Sequence, residues 1–224
     1  MHTTPTSSPS PSPSPSPSPS TPDVTPAQPR RTFRWRVVDI VVASIIGVAS
    51  GLIFVLWNQA SNPLGGLLSP LLPGLQGLLG GGWLFAGVLG GLIIRKPGAA
   101  LYTELLAAMV STLIGGNAWG ALVLVSGLAQ GLGAELVFAL FLYGNYRAYV
   151  ALLAGAGAGI ALTITDLLLW YPGSSAAFMG IYLLSSIISG VLLAGLLSWL
   201  ALQGLARTGA LSRFVAGRNA QSVV

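Results

Sequence analysis

Cysteine is absent from the 224 residues, histidine occurs once (His2) and lysine once (Lys96). Without cysteine there is no disulfide, thiolate metal site or thiol nucleophile. The single histidine sits in the N-terminal tail, which leaves nothing to bind zinc or to act as a general base near neutral pH. No GxSxG elbow, HExxH helix or phosphate-cradling loop occurs, so neither catalytic residues nor a cofactor are expected. Charge is scarce as well: 7% of residues are Asp, Glu, Lys or Arg against 53% hydrophobic, where a soluble domain carries about 25% charge. Such a chain could not cover its surface in water. It reads as an all-α integral membrane protein.

The few positive charges are placed with order. Arg30, Arg31, Arg34 and Arg36 precede the first apolar segment, Arg95 and Lys96 lie together, Arg147 stands alone, and Arg207, Arg213 and Arg218 follow the last segment. Six spans, at about 37–57, 83–94, 98–115, 119–143, 148–170 and 176–203, put all of them on one side. Short loops rich in Lys and Arg stay in the cytoplasm, so the expectation is a six-helix bundle in the cell membrane with both termini cytoplasmic. The formal charge of +5 then lies beside anionic lipid head groups, which attract each base by about 1 kcal/mol. No nucleic-acid partner is needed to explain it.

Residues 1–33 are a Thr, Ser and Pro tail with too little apolar surface to offset ordering, expected as a disordered cytoplasmic arm. The membrane domain is expected at 34–207, and 208–224 as a short cytoplasmic tail. Between spans one and two, Asn58 to Gly82 carries Pro63, Pro70, Pro73 and the Gly80-Gly81-Gly82 run. That pattern reads as a long external Gly/Pro-rich loop, a lid over a site. On span one, Ala43, Gly47 and Gly51 recur every four residues, a ridge that lets helices approach closely in lipid.

Carboxylates inside apolar spans cost several kcal/mol unless they face a cavity or a partner. Glu104, Glu135 and Asp166 are the three. Glu135 continues the Gly127, Gly131 stripe and is the first choice for a substrate contact; Glu104 shares a face with Ala100, Ala108 and Ser111 and is the second. Asp166 lies one turn from Trp170. Trp57, Trp83, Trp119, Trp170, Tyr171, Phe178 and Tyr182 fall near outer helix ends, where an interfacial belt accounts for them. Rings with a carboxylate can also hold an aromatic cation, and Asn58, Asn117, Trp119 and Gln130 would supply directional hydrogen bonds.

Several strings resemble the YkoE-type S component of energy-coupling factor (ECF) vitamin transporters, a branch of the ABC transporters: Arg34-Trp35-Arg36 with Val38-Asp39, "YTELLAAMVSTLIGGNAWG" containing Glu104, and "QGLGAELVFALFLYGNYR" from Gln130 to Arg147. The similarity covers about residues 35–207. It implies a subunit that captures thiamine or its hydroxymethylpyrimidine precursor (HMP) and works with a transmembrane coupling (T) subunit and two ATPase subunits. It also implies that a small-xxx-small motif on the first helix, here Ala43 and Gly47, docks the coupling subunit, and that a carboxylate and aromatic rings hold the ligand. Two other classes fit the residues alone: a self-sufficient proton-coupled transporter using Glu104 and Glu135, and a membrane scaffold that transports nothing. The lack of an evident inverted repeat speaks against the former, and the deep carboxylates against the latter.

Overall fold

The computed structural model describes residues 33–114 and 119–208, and these are helical throughout apart from turns, with no strand. The elements are α1 (Val37–Leu68), α2 (Gly81–Ile94), α3 (Ala99–Leu113), α4 (Val123–Leu140), α5 (Ala148–Leu169), α6 (Ala176–Ser189) and α7 (Leu197–Arg207). Short 3-10 helices at Leu75–Leu79 and Gly120–Leu122 lead into α2 and α4, and a π-helical segment, Gly190–Leu196, joins α6 to α7. Five rods are long and apolar enough to cross a membrane: 37–68, 75–94, 120–140, 148–169 and 176–207. α3, at 15 residues, is shorter.

α2 is the central helix. Leu84, Ala86, Val88, Leu92, Ile93 and Ile94 are all buried, and a helix apolar all round has no face to give to water or lipid. Glycine lets its neighbours come close. Where α5 meets the π-helical segment, Gly155 and Gly190 place backbone directly on backbone, and a Cβ on either would overlap the other's carbonyl. Outward-facing leucines and isoleucines such as Ile45, Leu56, Leu136 and Ile164 are more than half exposed, as lipid contact requires.

The stretch expected as an external loop from Asn58 is different. α1 runs on through Pro63 to Leu68, 32 residues in all, and only residues 69–74 are turn before the 3-10 helix. Proline removes one hydrogen bond and crowds the preceding turn, yet here the helix is anchored in the turn before it. Ser61 Oγ donates to the Asn58 carbonyl at 3.1 Å and Asn58 Oδ1 accepts from Trp83 Nε1 at 2.7 Å. One local and one tertiary bond on this face therefore offset the local cost of the ring.

Candidate ligand cavity

Opposite the Arg-bearing ends of the helices lies a cavity of about 250 Å³, walled by the distal half of α1, the Leu75–Leu79 turn, the start of α2 and α4, and the distal ends of α3 and α5 with Tyr171 and Tyr182. Each wall contributes because a small residue admits its neighbour. Gly127 of α4 faces Ala108 of α3, so these helices meet without filling the space beyond.

Glu104 is 1% exposed. Its Oε2 accepts the Gly87 N–H of α2 at 2.6 Å, while Oε1 has no hydrogen-bond partner. Asn58 repeats the pattern: Oδ1 is taken by Trp83 and Nδ2 has no partner. Ser126 Oγ is unpartnered too. Buried polar atoms are nearly always paired, and leaving one unpaired costs about 1–3 kcal/mol. Three residues that line one cavity thus each hold a buried polar atom in reserve, one acceptor, one donor and one hydroxyl.

The far wall is organised around Asp166, which accepts from Tyr182 Oη at 2.6 Å. Tyr182 stacks on Phe178 with centroids 5.7 Å apart, and Tyr171 leans on both at 5.2 and 5.5 Å. Across from them Trp83 makes edge contacts with Trp57 at 6.3 Å and Trp119 at 5.9 Å. Among the described residues the lining holds two carboxylates and no Lys, Arg or His. Its chemistry fits an organic cation with flat rings, which gains from the carboxylates and from ring faces together. A bare metal ion is served poorly: among the described residues no three His, Cys, Asp or Glu side chains cluster.

Glu104, Asn58, Trp119, Gln130, Asp166 and Trp170 thus meet in one space. Asn117 lies outside the described residues. Glu135 is not in the cavity. It sits at the opposite end of α3, where Oε1 accepts the Gly98 N–H at 2.6 Å and the Tyr143 hydroxyl at 2.8 Å, and Oε2 accepts the Ala100 N–H at 2.9 Å.

Comparison with known proteins agrees. Residues 38–161 match the family described as the permease component of an ABC-type cobalt transport system. YkoE of Bacillus subtilis (strain 168), assigned as an HMP/thiamine permease protein, is 38% identical over 186 residues, 83% of this chain and 92% of that protein. The crystal structure of an S component of an ECF transporter superposes with a TM-score of 0.78 at 37% identity, over 84% of this chain and 94% of that one. The chain belongs to the ECF S components. It is a multi-pass membrane protein and a substrate-binding subunit, not an enzyme.

The small-residue ridge on the first helix has a neighbour within this chain. Ala43 is fully buried, and a Cβ at Gly47 would stand 2.9 Å from the Leu106 side chain. At Gly47 and Gly51 the ridge faces α3 of the same chain. The double variant Ala43→Leu, Gly47→Leu should therefore lose thermal stability and ligand binding along with any partner. A well-folded, ligand-binding double variant, judged by gel filtration and titration, would return the ridge to the outside.

Ser61, Asn62, Ser69 and Gln76 also line the cavity and were missed. All lie beyond Trp57, where the first helix was expected to end. The spacing Asn58, Ser61, Asn62, Gly65, Ser69 is that of one helical face, and it was the available signal.

Proposed function

We propose that this S component captures thiamine or HMP at the cavity and delivers it to a T subunit and two ATPase subunits. The observation that carries the reading is the lining among the described residues: two carboxylates, Glu104 and Asp166, no Lys, Arg or His, and the rings of Trp83, Trp119, Trp170, Tyr171 and Tyr182. Thiamine offers the complement: an aminopyrimidine that donates and accepts side by side, and a permanently charged thiazolium ring. The name of the Bacillus relative points to the same compounds. Titration of the purified chain with thiamine and HMP tests it. Failure of both to bind or to raise the melting temperature would remove the proposal.

The orientation follows the charges. Arg36, Arg95, Lys96, Arg147 and Arg207 stand at the helix ends away from the cavity, so that end is assigned to the cytoplasm and the cavity to the outside. Because the chain has no cysteine, single thiols report cleanly. Ser69→Cys should react with a membrane-impermeant maleimide in intact cells, whereas Asn145→Cys should react only after lysis. The reverse order would invert the topology.

A further inference from the structure

Glu135 is 8% exposed and takes no part in the cavity, yet its carboxylate meets more donors than either cavity carboxylate. Three of them, the N–H groups of Gly98, Ala100 and Leu101, are the free donors at the start of α3. The N-cap of α3 is Gly98, with φ +83 and no side chain to accept them. Glu135 of α4 therefore caps a neighbouring helix, and its charge complements the positive end of that helix's dipole. The fourth donor, Tyr143, is held with φ 50, a region few non-glycine residues occupy, and its own N–H is secured by the Phe138 carbonyl at 3.0 Å. Burial, and then the adjacent carboxylate, push the Tyr143 phenol up to about 12, so it remains a donor at ordinary pH.

Ala100, bonded to Glu135, lies one helical turn before Glu104 on the same face. Between these points α3 runs along a smooth strip of α4. A Cβ at Gly131 would stand 3.0 Å from Glu104 Cβ and from Leu101 Cα, and one at Gly127 would stand 2.6 Å from Ala108 Cβ. Glycine permits that closeness but offers α3 no side-chain knob on this face to stop it sliding lengthwise. The polar cap is the stop. We propose that Glu135 is a positioning residue for Glu104: by holding α3 at one height it brings Glu104 Oε2 to the Gly87 N–H and turns Oε1 to the ligand.

The inference rests on the cavity being the substrate site, and a double-mutant cycle read by thiamine titration separates the two claims. Glu135→Gln keeps the shape but sets an amide N–H against backbone N–H groups, and should weaken thiamine binding roughly five- to tenfold. In a Glu104→Gln background the same change should add less than about twofold, because the group it positions is already lost. A melting temperature lowered by Glu135→Gln in both backgrounds would accompany this, since capping itself is structural. Equal losses of affinity in both backgrounds, or no loss in either, overturn the positioning role and leave the cavity reading standing. Unchanged thiamine affinity in Glu104→Gln alone overturns this inference, whereas the cavity reading falls only if the parent binds neither thiamine nor HMP. If Glu135→Gln is not monodisperse, Tyr143→Phe, which removes one of the carboxylate's donors, goes through the same cycle, where a loss confined to the Glu104 background supports positioning and equal losses overturn it.

Discussion

On the proposed function, Glu104→Gln is expected to bind thiamine at least tenfold more weakly than the parent while remaining folded. A glutamine here can still accept the Gly87 N–H through its carbonyl, so the bond that ties α3 to α2 at 2.6 Å survives. What changes is the other atom. Oε1, unpartnered on a residue that lines the cavity, becomes an N–H₂ group, so an acceptor for the ligand's amino group turns into a second donor opposing it. Hydrogen bonds to charged groups are worth about 1.5–3 kcal/mol, and each 1.4 kcal/mol is about a factor of ten in affinity. Calorimetry on monodisperse protein reads the result directly, and parental affinity would exclude Glu104 as the recognising carboxylate. Asp166→Asn should cost less, because its nearest donor, the Tyr182 hydroxyl, can bond the amide oxygen as well.

Gly155→Ala should be the most damaging single methyl in the chain. The added carbon would overlap the Gly190 carbonyl and come within 2.8 Å of the Gly195 nitrogen. All the atoms it meets are backbone, so no side chain can rotate away, and the helices must separate. The loss should reach the upper end of the overpacking range, about 3 kcal/mol, seen as a large drop in melting temperature in detergent, with ligand binding lost alongside. Gly180→Ala is the control. It sits inside α6 with nothing within 4 Å of its Cβ position, and alanine favours a helix over glycine by about 0.5–1 kcal/mol. Similar stability of the two variants would show that the contact is not close-packed.

The helices and the carboxylates were legible in the sequence for the same reason: in lipid an apolar run must be helical, and a polar group within it needs a partner. Which partner was not legible. Glu135 on its Gly127, Gly131 stripe looks the same whether a ligand or a helix terminus lies across from it, because the sequence carries residue types and not the neighbour's backbone. Ala43 and Gly47 pose the same problem, since a ridge of small residues announces close packing without saying whether the other helix belongs to this chain. The distal half of α1 was hidden by Pro63, whose local preference was overridden by the Asn58–Trp83 bond. With it went Ser61, Asn62 and Ser69.

That extended helix decides what the bilayer can touch. At 32 residues and 1.5 Å per residue α1 is about 48 Å long, against a hydrocarbon core of about 30 Å. Counting from Val37, an upright helix leaves the core near Trp57, and the cavity residues Asn58, Ser61, Asn62 and Ser69 all follow that point. The mouth of the cavity accordingly stands at the head-group level, in a layer that holds water, while its floor does not: Glu104 lies two residues from Leu106, which packs at Gly47, about ten residues or 15 Å along α1 from Val37. A charged solute enters from water and descends between protein walls to that carboxylate, exchanging hydration for protein dipoles on the way. Membrane thickness then bears on how deep the floor lies, and the aqueous phase on the mouth.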